Sequence, residues 1–210
     1  MNKKRIYNIL IILLFTVGCI FIAKPFYDAY KAKKTQEKNL ETIMKMKYNK
    51  QETTFTDASN IKRPDLADVS NASLDEKAVI GRLSIPSIGL GLPILNSSTE
   101  NHLLSGATTI REKQQMGKGN YALAGHNMSK KGVLFSDISE LKTNDKIYLY
   151  DNENEYEYAV QQITEVSPST WDVVENHGKD EVTLITCLSV LDNSKRWVVS
   201  GDLVYVKKIQ

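Results

Sequence analysis

Glu181-Val182-Thr183-Leu184-Ile185-Thr186-Cys187 is a short run dense in β-branched residues, and its reading sets the fold class. Such a run is a buried strand. The next apolar run, Trp197-Val198-Val199, lies beyond Asp192-Asn193-Ser194, a turn-forming cluster, so the two are expected to pair as antiparallel neighbours. If Cys187 opposes Arg196 across that hairpin, period-two alternation sends both side chains to one face, together with Thr183 and Ile185. A thiol beside a guanidinium is a nucleophile with a cation at hand. A purely structural cysteine is the other reading of a free thiol in an apolar strand.

The same texture extends outward from this hairpin. Ala78–Ile85, Ile88–Leu95, Tyr121–Ala124, Lys146–Tyr150, Tyr156–Val166, Val182–Cys187, Trp197–Ser200 and Leu203–Val206 read as strands, separated by Gly, Pro, Asn, Asp or Lys clusters. Helix is confined to Thr99–Leu104 and Leu134–Leu141. Seven or eight short strands in residues 78–210 predict an all-β domain, a closed or nearly closed eight-stranded barrel, large enough to bury a core without disulfides or metal.

The N-terminus has a different composition. Ile6 to Ala23 is 18 residues without a charge, roughly 27 Å of helix and close to the hydrocarbon thickness of a bilayer. No small-x-small cleavage site follows it. Gly18-Cys19 hints at a lipoprotein signal, but Thr16 stands where leucine is usual and Ile20-Phe21-Ile22 continue apolar past the cysteine. The chain therefore divides into a cytoplasmic tail (1–5), a transmembrane signal anchor (6–23), a stalk and linker (24–77) and a catalytic domain (78–210). The basic residues flanking the span do not orient it by count; the short basic tail matches a signal n-region, which sets the N-terminus inside and the bulk outside a cell membrane crossed once. Cys19 then cannot reach Cys187, which stays a free thiol.

Residues 1–50 hold 11 Lys+Arg against 3 Asp+Glu, a net +8, which leaves 16 against 22, a net −6, for the remainder. The basic part adjoins the membrane and suits anionic lipid. The mildly acidic remainder lacks the basic stripe of nucleic-acid binders, so no nucleic-acid partner is expected. Residues 24–50, rich in Lys, Glu, Gln, Met and Ala, read as a helical stalk, with a disordered tether as the alternative. Residues 51–77 read as an extended linker. Gly117-Lys118-Gly119 precedes a strand, the reverse of a dinucleotide fingerprint. The three histidines and Cys187 lack zinc-ligand spacing, so neither metal nor cofactor is expected.

A thiol with a reference pKa of about 8.5 needs a base or a positive neighbour to react as thiolate. His102 lies on what reads as a helix surface and His177 in the polar loop Glu175-Asn176-His177-Gly178-Lys179. His126 ends the strand Asn120-Tyr121-Ala122-Leu123-Ala124-Gly125, whose small residues leave open space beside it. It is the best candidate partner for Cys187.

Thr183-Leu184-Ile185-Thr186-Cys187, with Ala124-Gly125-His126 about sixty residues upstream and Arg196 shortly downstream, resembles the class A sortases, membrane-anchored transpeptidases of Gram-positive bacteria, and in particular their Bacillus-type members. The resemblance covers the whole chain. It implies a sortase-type β-barrel and a thiol-protease-like chemistry. An LPXTG sorting signal on a surface protein is cut between Thr and Gly, and the thioester is resolved by an amine of the cell-wall precursor (lipid II or a peptidoglycan stem peptide). It further implies Cys187 as nucleophile, His126 as acid and base, Arg196 as oxyanion donor, and Ala124, Val173, Val174, Ile185 and Thr186 as the lining of the substrate slot. Some class A sortases bind calcium in the loop before the His-bearing strand. Here that loop reads Arg111-Glu112-Lys113-Gln114-Gln115-Met116-Gly117-Lys118, too basic for a hard dication, so calcium is expected to have little effect.

Two other classes fit parts of the pattern: a tethered binding barrel with a structural Cys187, and a cysteine endopeptidase in which water resolves the thioester. One last feature is the recurrence of Ile61, Leu66, Val69 and Leu74 within residues 57–75. A spacer needs no apolar residues, so this segment is expected to lie along the barrel, as a lid where it crosses the groove near His126; an undocked tether is the alternative.

Overall fold

A computed structural model describes residues 3–48 and 63–209. Helix α1 runs unbroken from Lys3 to Ile43, with Pro25 inside it. A short helix α2 (Leu66–Asn71) follows, and then strand alternates with turn. The strands are β1 (Val79–Ile85), β2 (Leu90–Leu95), β3 (Ala107–Thr109), β4 (Asn120–Ala124), β5 (Lys146–Tyr150), β6 (Asn154–Val166), β7 (Glu181–Cys187) and β8 (Arg196–Lys208), with helix α3 (Glu100–Ser105) between β2 and β3.

These strands close into an eight-stranded barrel in the order β1-β2-β3-β4-β7-β8-β6-β5, as the sequence predicts. Pairing is antiparallel except for β2–β3 and β4–β7, which are parallel. Inward positions alternate along each strand and fill the lumen: Leu83 and Ile85 from β1, Leu92 and Ile94 from β2, Ile147 and Leu149 from β5, Val182 and Leu184 from β7 are all fully buried. Closure removes every free sheet edge, which for strands this apolar is the main safeguard against pairing with another chain.

Several expected elements differ. Trp197–Ser200 and Leu203–Val206 are one strand, because Gly201-Asp202 makes no turn and is paired on both sides, to β6 and to β7. Gly201 is needed there, since a Cβ would stand 3.0 Å from the Ala159 carbonyl oxygen. Three-residue β3 has too little pattern to be read. Leu134–Leu141 forms only a 3-10 turn, Ile138–Glu140; Leu134 takes a left-handed φ of 49° that no helix accepts. Of the expected linker, residues 51–62 lie outside the described residues. Its later part folds as α2, started by a reciprocal capping box in which the Asp65 side chain accepts from the Asp68 N–H and Asp68 from the Asp65 N–H.

Beyond its apolar half, α1 packs on the barrel. Ala32, Gln36, Asn39 and Ile43, spaced three or four apart, are buried along one stripe. Gln36 fixes the register: its Oε1 accepts from the Leu134 N–H at 2.9 Å and its Nε2 donates to the Gly132 carbonyl at 3.3 Å. Tyr48 exchanges two hydrogen bonds with the Asn152 side chain at the far end of the barrel.

Candidate active site

The site follows from two strand pairings. In the parallel pair β4–β7, Ala124 stands opposite Ile185, and the ladder ends with the Gly125 N–H donating to the Ile185 carbonyl at 3.1 Å. Parallel strands finish on the same rim. His126 and Cys187, each two residues past that final pair, therefore emerge side by side. In the antiparallel pair β7–β8, Cys187 is the partner of Arg196, the register the hairpin reading requires. Thr186 locks the corner by donating its buried hydroxyl to the Gly125 carbonyl at 2.7 Å.

Gly125 is the hinge of this corner. A Cβ there would meet the Phe135 ring at 2.6 Å. Phe135 is fully buried, and its N–H donates to the His126 carbonyl at 2.9 Å, so the ring seats against the backbone that carries His126.

Ala124, His126, Ile185, Thr186, Cys187 and Arg196 line one groove of about 280 Å³, together with Gly125, Leu103, Asn127, and Ser189, Val190 and Asn193 of the β7–β8 loop. Val173 and Val174, expected in the same slot, are not brought there. They belong to a 3-10 turn whose carbonyls at Val173 and Glu175 accept from the Asn120 side chain at the start of β4, the opposite end from His126; Val174 is buried in that packing. His102 donates from Nδ1 to the Ser97 carbonyl at 3.0 Å, and His177 lies between Asp172 and Glu181, both outside the groove.

One groove residue, Asn127, carries no signal strong enough to be picked from the sequence. Asn127 donates its side-chain N–H groups to the carbonyls of Cys187 (3.1 Å) and Leu188 (2.9 Å), while its oxygen accepts from the Ser129 N–H (2.8 Å). It ties the loop after His126 to the loop after Cys187. Arg63 and Pro64, the described residues just before α2, also line the groove. The apolar residues around them were the available clue.

Arg196 donates one guanidinium nitrogen to the carbonyls of Asn193 (2.8 Å) and Lys195 (3.0 Å). Those bonds anchor the guanidinium to its own loop. Lys195, paired with Glu165 at 2.8 Å, fixes the same loop to β6. His126 has no such partner. Its Nε2 is buried without a hydrogen bond, and burial alone drives its pKa down from 6.5 to about 4. Arg111, in the loop of the suspected calcium site, instead donates to the Asn120 carbonyl, and its N–H donates to the Gln114 side chain.

The pattern of residues matches the Sortase domain family over residues 83–204. The chain is 69% identical to sortase A of Bacillus anthracis, over 99% of both chains. To sortase A of Listeria monocytogenes it is 36% identical, over 100% of this chain and 95% of that one. The crystal structure of the Listeria monocytogenes sortase A superposes with a TM-score of 0.62, at 41% identity over 63% of this chain and 92% of that one.

The histidines give the site a pH signature. His126 is disfavoured as a cation in the fold, so its contribution to stability is full above pH 6.5 and is lost as pH falls from 6.5 toward 4. His177 is shifted upward by Glu181 and then Asp172, so its contribution is full below pH 6.5 and fades as pH rises through its folded value. NMR titration of the imidazole protons is expected to give His126 a midpoint near 4 and His177 one above 6.5. A His126 midpoint at or above 6.5 contradicts the desolvation of its imidazole.

Proposed function

The chain belongs to the sortase family, as a class A member, and from that premise we propose that it cuts LPXTG-type sorting signals between Thr and Gly and joins the freed carbonyl to a cell-wall amine. The observation that carries this reading is the convergence of Cys187, His126 and Arg196 on one groove. As thiolate, Cys187 attacks the threonine carbonyl carbon. The C–N bond to glycine then breaks, leaving a thioester on Sγ, and His126 gives its proton to the departing glycine amine. In the second half His126 takes a proton from the incoming amine, which displaces Sγ and forms the new amide bond. Arg196 supports the oxyanion of both tetrahedral states with the donors not committed to Asn193 and Lys195.

Because burial holds His126 neutral, the thiolate–imidazolium form is the minor state of the coupled pair while the groove is closed. The competent state gains when the Arg63-Pro64 segment lifts and lets water and substrate reach the imidazole. Ala124, Ile185 and Thr186 supply the apolar slot for the Leu-Pro end of the signal; Val173 and Val174 have no part in it.

Residues 6–23 are the membrane anchor of this reading, with residues 1–5 inside the cell and residues 78–210 as the catalytic domain outside. Support comes from α1 itself. Its apolar half has a mean hydropathy of 2.6 and buries none of its surface in the protein, a length and composition that can cross a bilayer. The partners are LPXTG-bearing surface proteins and a lipid II or stem-peptide amine.

Assays with an LPXTG peptide and an amine acceptor test the assignment of roles. Cys187→Ala is expected to abolish turnover with little change in melting temperature. His126→Ala should lower kcat at least about a hundredfold, the lower end for loss of a positioned acid–base group. Arg196→Lys should lose most activity as well, since a point charge cannot reproduce directed donors in a fork. His102→Ala and His177→Ala are expected to stay within a few-fold. An inactive His177→Ala with an active His126→Ala would overturn the assignment.

Deleting residues 57–75 tests the lid. The truncated enzyme should label faster at Cys187 with thiol probes, give more hydrolysis relative to transpeptidation, and move the His126 midpoint up toward 6.5. Unchanged labelling, product ratio and midpoint would leave that segment a tether.

A further inference from the structure

Helix α1 does not end where the apolar stretch ends, and its geometry sets the height of the groove. Every residue from Lys4 to Tyr27 is exposed, and the first partly covered position is Asp28, one turn before the buried stripe that opens at Ala32. Asp28 is five residues past Ala23, about 8 Å at the helical rise. The headgroup layer outside the hydrocarbon is itself about 5–8 Å deep on each side of a bilayer. The barrel therefore starts at the level of the lipid headgroups.

Three contacts say which part of the barrel lies there. Lys130, four residues after His126, places its ammonium 5.6 Å from the centre of the Phe26 ring. Lys31 donates to the Asn71 side chain at 2.7 Å, which fixes α2 against the same stretch of α1. Asp65, next to Pro64 of the groove, acts with the nearer Asp28 to favour the charged form of Lys24. Both walls of the groove thus connect, within one to four residues, to side chains at the last turn before the apolar stretch. By contrast Asn152 sits beside Tyr48, five residues beyond the other end of α1.

The side chains at this level suit a lipid surface. Phe26, Tyr27 and Tyr30 are each more than 60% exposed, the aromatic belt found where a spanning helix meets headgroups. Lys24 and Lys131 are paired with Asp28 and Glu140, but Lys33 and Lys130 face no carboxylate among the described residues and are free to meet lipid phosphates. The docked register of Gln36 against Gly132 and Leu134 prevents the barrel from swinging away on its stalk.

We propose that the barrel rim carrying Lys130 rests on the phospholipid headgroups, held there by the unbroken helix, so that the groove between His126 and Cys187 opens at the membrane surface. The inference rests on α1 being a membrane span. It deepens the proposed function: a sorting signal would meet Cys187 at the level of the headgroups and not at a distance from the bilayer.

The test uses the full chain carrying Cys19→Ala and Cys187→Ala, with one new cysteine at Lys130→Cys or at Glu153→Cys, labelled with a small fluorophore and reconstituted into phosphatidylglycerol–phosphatidylethanolamine vesicles containing a headgroup-nitroxide lipid. Quenching is expected to be several-fold stronger at position 130 than at 153. Protein that floats with the vesicles but is quenched equally at the two positions overturns the proposal and leaves the span standing. Protein that fails to float overturns the span, and the proposal with it.

Discussion

The parallel pairing of β4 with β7 is the constraint on which the rest of the site depends. A cysteine and a histidine sixty-one positions apart become neighbours only because Ala124 and Ile185 are level and both strands stop at the same rim. A shift of one residue in that register would turn one of the two side chains to the other face of the sheet. The Thr186 hydroxyl on the Gly125 carbonyl and the Asn127 amide across Cys187 and Leu188 bind the two strand ends beyond the ladder, where backbone pairing has run out. Arg196 is then delivered by the antiparallel neighbour of β7, so two side chains stand on strand ends and His126 stands two residues past the end of β4.

How much of this was legible follows from sequence distance. The β7–β8 hairpin and its Cys187–Arg196 register are local, and turn chemistry with period-two alternation suffices to read them. His126 stood out because Ala122, Ala124 and Gly125 left space beside a polar strand end. The parallel partnership itself is non-local, and no pattern within either strand encodes it. Asn127 was overlooked although it follows His126 directly, because its role is to cap carbonyls that only the fold brings near. Val173 and Val174 were assigned from the resemblance alone; in the fold they answer to Asn120, at the far end of β4. The strand break at Gly201 was misread for the opposite reason: a glycine signals a turn in sequence, whereas here it lets two strands approach closely.

The groove combines two demands that pull apart. A thioester must be kept from water, and burial favours that; a general acid must be protonated, and burial of the imidazole opposes it. Burial lowers the pKa of His126 to about 4, and its Nε2 has no hydrogen-bond partner among the described residues. Arg63 and Pro64 line the same groove, and they lead into α2, which Lys31 ties to α1.

The central claim is that a covalent thioester forms on Cys187 within this constellation. Intact-mass and peptide-mapping spectrometry of the enzyme after brief exposure to an LPXTG peptide without an amine acceptor tests it most directly. The account predicts one adduct with the mass of the peptide up to its threonine, on the peptide containing Cys187, which disappears when amine is added as the joined product appears. Cleavage of the peptide with no adduct at any time, or an adduct on another residue, would contradict it.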